Sequence, residues 1–310
     1  MAAKRILLIA NPASGQHRGE RRLAQASERL ASLGHAVTAA LTESAGHATR
    51  LAKSNAPDFE IIAALGGDGT VNEVANGLMA VEPGERPTLA TLPVGTGNDV
   101  ALTYGLAHFE SAIDALAKGS TRTLDVIRVQ LMRDGKSVTR HALLFVAAGF
   151  AAEVIRKTGP RVKRIFGRRF SYSVGLFRAL ASFRAPEFSV KWDGGETSGR
   201  MFQVCAGNTE FAAGGVMRIS PGARPDDGLL NISLVDVLGR LQIVRRFPSI
   251  LSGRYVEDER VDYFTGKRLE IDAVPPAEFQ ADGDIIGTTP ATIELLPGAL
   301  KLVVHDQFQV

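Results

Sequence analysis

Leu65-Gly66-Gly67-Asp68-Gly69-Thr70-Val71-Asn72-Glu73 decides how the rest of the chain is read. It follows Ile61 to Leu65, a short apolar run that suits a buried strand, and opens a helix over Thr70 to Met79 with Val71, Val74, Ala75 and Leu78 on one face. Glycines let the backbone turn sharply and bring its N–H groups close to a ligand. The helix start adds free N–H groups and a positive dipole end, which together suit phosphate. A tight loop with Thr70 or Asp68 as a helix cap accounts for one or two of these residues, not for five consecutive small or polar ones. Phosphate binding is therefore the expectation for Gly66, Gly67, Asp68, Gly69 and Thr70.

The surroundings repeat the pattern. Ile6 to Ala10, Ala36 to Leu41 and Thr88 to Leu92 read as further buried strands, with helices over Gly19 to Leu33, His47 to Ala56 and Phe109 to Ala117. This βαβα order predicts an α/β domain with a mainly parallel sheet covered on both faces. A second loop, Leu92-Pro93-Val94-Gly95-Thr96-Gly97-Asn98-Asp99, follows the fourth strand. A third, Asn11-Pro12-Ala13-Ser14-Gly15, follows the first, and Thr42 ends the second. In a parallel sheet these loops emerge at one edge, where ligands bind. The dinucleotide pattern G-x-G-x-x-G fails, because Gly67-Asp68-Gly69 leads to Asn72 and Gly95-Thr96-Gly97 leads to Val100. Gly135-Lys136-Ser137 lacks the earlier P-loop glycine, that position being Gln130.

After Leu124 the chain turns β-rich: Val126 to Leu131, Ser137 to Val146, Glu187 to Trp192, Met201 to Ala206, Leu229 to Val237 and Arg268 to Val274, with turn signals at Asp134-Gly135 and Asp193-Gly194-Gly195. The expectation is a C-terminal antiparallel β-sandwich domain over 126–299 with a helical insertion at 151–183, following an α/β domain over 1–125. The last strand, within 300–310, is free to return to the first domain.

The 310 residues suffice for two domains, and 45% hydrophobic with 22% charged residues excludes general disorder. Thirty-six Lys and Arg against 33 Asp and Glu give a charge of +3, too small to imply a nucleic-acid partner. The lone Cys205 excludes an intrachain disulfide framework and a cysteine-rich zinc site. Six histidines show no metal-ligand spacing, and hydrolase motifs are absent. The longest apolar run, Leu143 to Ala152, is half the length of a membrane span, and Ile6 to Ala10 is too short for a signal-peptide core. These readings predict a cytoplasmic protein, peripheral at most at the inner membrane surface.

Together, Gly66-Gly67-Asp68-Gly69-Thr70 with Asn72 and Glu73, the Pro93 to Asp99 segment and Asn11 to Gly15 resemble the diacylglycerol kinase catalytic-domain family, in particular its soluble bacterial lipid kinases. The resemblance continues through Gly207-Asn208, Gly214-Gly215 and Pro221-Gly222-Ala223-Arg224-Pro225-Asp226-Asp227-Gly228-Leu229-Leu230 to Ala281-Asp282-Gly283-Asp284. Phosphofructokinases and NAD kinases share only the Gly-Gly-Asp-Gly core. The resemblance implies an active site in the interdomain cleft, where a lipid hydroxyl attacks the γ-phosphate of ATP. It places ATP on Asn11, Pro12, Ala13, Ser14, Gly15, Thr42, Gly67, Asp68, Gly69, Thr70, Val71, Asn72, Glu73 and Thr96, and the loop reading adds Gly66, Gly95 and Asn98.

The family's Asp-Gly-Glu, whose third residue accepts the proton, is Asp282-Gly283-Asp284 here; spacing alone reads as a hairpin turn. Asp284 is one methylene shorter than glutamate, which leaves the role open between Asp284 and Asp282. The resemblance also implies a divalent metal on the Asp227 carboxylate and the Arg224 and Leu229 carbonyls, and Mg2+ accompanying ATP near Asp68. The expected substrate is diacylglycerol or a related lipid, with sphingoid bases, ceramide and phosphatidylglycerol open; a kinase of a soluble hydroxyl compound and a catalytically silent nucleotide- or lipid-binding regulator are the alternatives. No acidic residue lies between Glu153 and Glu187, where Arg and Lys interleave with aromatic and aliphatic residues. Residues 156–184 are accordingly expected to touch an anionic membrane surface, and no nucleic-acid motif accompanies the charge. An exposed edge strand offers a route to a homodimer.

Overall fold

In β1 (Arg5–Ala10), alternate side chains enter two different cores. Ile6, Leu8 and Ala10 pack with Leu23, Ala26 and Leu30 of α1 (Gly19–Ser32), whereas Leu7 and Ile9 pack with Ala48 and Ala52 of α2 (His47–Asn55). All are buried, each larger aliphatic contributing about 1.5–3 kcal/mol. The computed structural model describes residues 3–15, 18–95, 97–159 and 174–306. In it β1 pairs in parallel with β2 (Ala36–Leu41) and β3 (Ile61–Gly66), and β3 with β4 (Thr88–Pro93). Helix α3 (Asp68–Met79) covers the α2 face, and after the short α4 (Asp99–Thr103), α5 (Phe109–Lys118) covers the α1 face. The α/β half thus has the layers its periodicity predicts. Helix α3 begins two residues earlier than read, and the short α4 starts at Asp99, the last residue of the loop motif.

The second half runs β5 (Thr121–Arg133), β6 (Lys136–Ala142), β7 (Phe145–Gly149), α6 (Phe150–Lys157), α7 (described over residues 174–182), β8 (Glu187–Trp192), β9 (Gly195–Gly207), β10 (Phe211–Ala212), β11 (Met217–Arg218), β12 (Leu230–Asp236), α8 (Arg240–Ser252), β13 (Val261–Gly266), β14 (Arg268–Val274), β15 (Glu278–Ala281) and β16 (Asp284–Val303). Antiparallel pairings β7–β9, β9–β8, β8–β14, β14–β16, β16–β15 and β15–β7 close a circuit. Its apolar filling includes Val146, Phe188, Val204, Ile271, Phe279 and Ile293.

Two of these readings need correction, and a third is completed by the structure. The expected strand Ser137 to Val146 is two strands, β6 and β7, broken at Leu143-Leu144. The chain bends there because the Asp282 carboxylate accepts the N–H groups of Leu143, Leu144 and Phe145. The last strand, expected within 300–310, does return to the first domain: it is the end of the 20-residue β16, which Leu302 joins to the parallel sheet opposite Leu89. Strand β5 runs through residue 125, pairing with β16 along most of its length, so the 125/126 division cuts within a strand. Through β16 the two halves form one continuous 14-stranded sheet. Helix α8 and β13 went unread: α8 carries Pro248 in its interior, a residue that ordinarily argues against a helix.

Candidate active site

The ends of β1, β3 and β4 meet. Asn11 N–H donates to the Leu65 carbonyl at 3.2 Å, and the Asn11 side chain accepts the Ala13 N–H at 3.0 Å, folding 11–15 into a tight turn. Gly15 has φ +61, and a Cβ there would lie 2.5 Å from the Val94 carbonyl oxygen. A Cβ on Gly95 would lie 2.6 Å from the Gly67 Cα, so these backbones touch in a way only glycine permits. A Cβ on Gly66 would meet the Thr70 hydroxyl at 2.4 Å and the Ser14 hydroxyl at 3.2 Å. Thr42 sits at the same end of the sheet, its N–H donating to the Ala10 carbonyl at 2.9 Å. Gly69, in the first turn of α3, faces open space on its Cβ side. Thr96 lies outside the described residues.

Not every residue of the loop faces that space. Val71 is buried in the core under the sheet. Glu73 turns to α2 instead, its carboxylate accepting the Gly46 N–H at 2.8 Å and the Ala48 N–H at 3.2 Å, which caps that helix. Asp68 accepts the Val100 N–H at 3.1 Å, joining the starts of α3 and α4. Asn98, at φ +58, donates its amide to the Gly95 carbonyl at 3.0 Å.

Residues from the β-rich half reach this rim at two points. Asn72 donates to the Asp282 carboxylate at 3.0 Å, and the same carboxylate accepts the N–H groups of Leu143, Leu144 and Phe145 at 2.7, 3.0 and 3.1 Å. Burial pushes the Asp282 carboxyl up to about 6, against these donors, which pull it down. Asn76 completes the network by accepting the His141 N–H at 2.9 Å and donating to the His141 carbonyl. His141 itself is pushed down to about 4 by burial and by Arg86, Arg128 and Arg140, so it is neutral at physiological pH. The second point is Asp99, which accepts the Gly214 N–H. Burial and the nearby Asp68 charge raise its carboxyl, opposed by the N–H groups of Gly214, Gly215 and Ala213. Sequence reading missed the Asp99 bridge; the Gly214-Gly215 pair, both at positive φ, was its only trace.

Asp284 opens β16 and is exposed. Its neighbour Asp282 has both oxygens committed to four donors, so the two carboxylates of the Asp-Gly-Asp turn differ in what they can do. Asp227 is exposed and accepts the Leu229 N–H through Oδ1 at 2.9 Å, while Arg224 pairs with Asp226 at 3.3 Å. No cluster of three His, Cys, Asp or Glu side chains suited to a metal occurs among the described residues. A cation at Asp227 therefore depends on main-chain carbonyls, and one carboxylate with carbonyl oxygens is a donor set that hard cations accept. Cys205 is buried and its thiol pushed up to about 12, which removes it as a nucleophile.

Comparison with known proteins agrees with this architecture. Residues 5–129 match the diacylglycerol kinase catalytic domain, and residues 144–304 match the YegS C-terminal NAD kinase beta sandwich-like domain. A diacylglycerol kinase of Bacillus subtilis (strain 168) is 28% identical over 292 residues, covering 93% of this chain and 92% of the relative. One of Staphylococcus aureus (strain MRSA252) is 28% identical over 290 residues, covering 93% and 88%. The crystal structure of a putative diacylglycerol kinase from Bacillus anthracis str. Sterne superposes with a TM-score of 0.79 at 28% identity, covering 98% of this chain and 96% of that one. A second putative diacylglycerol kinase structure from the same strain gives 0.77 at 26% identity over the full length of both. With its glycine-lined rim on the first domain and its Asp-Gly-Asp turn on the second, the chain belongs to the diacylglycerol kinase catalytic-domain family of kinases.

Proposed function

We propose that the protein is an ATP-dependent lipid kinase that transfers the γ-phosphoryl group of ATP to a hydroxyl of a membrane lipid, diacylglycerol or a related lipid, in the cleft between its two halves. The observation that carries this reading is the contact between Asn72 of the glycine-loop helix and Asp282 of the Asp-Gly-Asp turn, 3.0 Å apart. It brings the Asp-Gly-Asp turn beside the helix that opens from the glycine loop. In this reading the turn at 11–15, the glycine loop and Gly95 line the triphosphate, and the first N–H groups of α3, which have no partner within the helix, hold it. Asp284, exposed at the start of β16, takes the proton from the attacking hydroxyl. A divalent cation carried with the triphosphate would sit near Asp68 and supply charge neutralisation. A second, on Asp227 and the Arg224 and Leu229 carbonyls, would brace the loop before β12. Among the described residues no helix is long and apolar enough to cross a membrane, and we place the protein at the cytoplasmic membrane surface.

Radiolabelled ATP offered with a lipid panel tests this reading. Labelled phosphatidic acid, or another labelled lipid phosphate, is the expected product; label appearing only on a soluble hydroxyl compound such as NAD, or on nothing, overturns it.

Two glycine substitutions separate binding from folding. Gly69→Ala adds a methyl group to open space, so the melting temperature is expected to hold while ATP affinity falls about tenfold or more from lost approach of the phosphates. Gly95→Ala forces the Gly67 backbone aside and is expected to lower stability as well, by about 1–3 kcal/mol. Thermal unfolding and ATP titration of both variants distinguish the two; unchanged ATP affinity in Gly69→Ala would take the phosphates away from this rim.

A further inference from the structure

Beside the β circuit, α6, α7 and α8 share a small apolar cluster. Ala179, Leu176, Leu180 and Phe183 enter it from α7 and its end, and Ile243 from α8. Among the described residues, the opposite faces of both helices are left in solvent. On α8, Leu241, Val244, Arg245 and Pro248 are exposed at helical spacing, with Leu241 62% and Val244 56% accessible. On α7, Phe177 is 69% accessible and is flanked by exposed Arg178 and Ala181. The two faces adjoin, because the Arg240 guanidinium donates to the Ala181 carbonyl at 2.8 Å. Isolated exposed aliphatics need no explanation; a phenylalanine, a leucine and a valine projecting from two tied helices do.

We propose that the outward faces of α7 and α8 seat the protein on an anionic lipid bilayer, Phe177, Leu241 and Val244 entering the headgroup boundary and Arg178 and Arg245 pairing with lipid phosphates. The proposal rests on the lipid-kinase reading for its purpose, since such an enzyme has to meet its substrate at a membrane. Charge selects this occupant. Residues 174–186 and 237–256 contain no Asp or Glu, while Arg178, Arg184, Arg240 and Arg245 frame the apolar side chains. A second copy of the chain docked face to face by a two-fold axis would set arginine against arginine. An anionic membrane accepts both components, apolar side chains at the acyl boundary and cations at the phosphates. Sequence reading assigned membrane contact to residues 156–184 alone and did not include α8.

Sedimentation with phosphatidylcholine vesicles, with and without phosphatidylglycerol, tests this surface. Wild-type protein is expected to pellet with the anionic vesicles only, and less at high salt. Leu241→Asp combined with Val244→Asp is expected to weaken pelleting at least about tenfold. Arg178→Glu combined with Arg245→Glu is expected to weaken it at least about 30-fold, from about 1 kcal/mol per cation removed. Phe177→Ser, on the other helix, checks that the loss does not come from misfolding of α8. Turnover of a short-chain, water-dispersed diacylglycerol is expected to stay at the wild-type level in all three variants. Wild-type pelleting by every variant overturns the proposal, and so does a fall in native mass in the variants, which would mark this face as a contact between copies. Absence of any labelled lipid would instead strike the lipid-kinase reading, because vesicle binding is scored without turnover.

Discussion

Asp284→Asn is expected to slow phosphoryl transfer to the lipid by about 10²–10⁴-fold, the usual contribution of a positioned general base, and to leave ATP affinity within a factor of about two. The two carboxylates of the Asp282-Gly283-Asp284 turn are chemically alike but differently placed. Asp282 spends its oxygens on Leu143, Leu144, Phe145 and Asn72. Asp284, two residues on, is exposed at the start of β16. A base has to reach a substrate hydroxyl within about 3 Å, directly or through one water, and only an accessible carboxylate meets that need. Asp284→Glu is the informative companion. It lengthens the reach by one methylene and restores the residue that the family pattern carries, so it is expected to retain most of the wild-type rate. Steady-state rates on a lipid dispersion, with ATP binding measured separately, check both variants. If Asp284→Asn turns over normally, the proton goes elsewhere and Asp284 leaves the site.

Much of this arrangement was legible in the sequence because it rests on local signals. The fully apolar runs at Ile6 to Ala10 and Ile61 to Leu65 specify strands buried on both faces, and the glycine loops that follow them need no distant partner to be recognised. What stayed hidden depends on residues far apart in the chain. That Glu73 caps α2 rather than facing the glycine rim is set by Gly46 and Ala48, more than twenty residues upstream. That β6 and β7 are separate strands is set by Asp282, over a hundred residues downstream. Local alternation cannot encode such a break, because the pattern through Ser137 to Val146 remains strand-like. The length of β16 was obscured for a related reason. Gly287, Pro290, Pro297 and Gly298 punctuate it, yet it bends past them while changing partners from β15 to β14, β5 and β4.

The larger effect on folding is expected at Asp282. In Asp282→Ala four donors lose their acceptor together: three backbone N–H groups at the β6–β7 bend and the Asn72 amide that ties α3 to the turn. The three backbone donors left without a partner each cost about 1–3 kcal/mol where water cannot reach them, while Asn72 keeps the His141 carbonyl at 3.3 Å. With partial relaxation, a total loss of about 3–5 kcal/mol is expected by denaturant unfolding at neutral pH. Activity would fall with it, since the bend and the turn no longer hold the two halves in register. The pH dependence identifies the cause. Burial raises this carboxyl from its ordinary 3.8 to about 6 in the folded protein, so the folded state takes up a proton that the unfolded chain has already released. Its contribution is therefore fully present below pH 4 and is lost as pH rises through about 6, by up to about 3 kcal/mol. Asp282→Asn keeps the shape but cannot titrate. The difference in unfolding free energy, wild type minus Asp282→Asn, is thus expected to shrink between pH 4 and pH 6.5. A difference that grows over that interval would mean that the four donors outweigh burial and hold Asp282 as an anion in the folded protein.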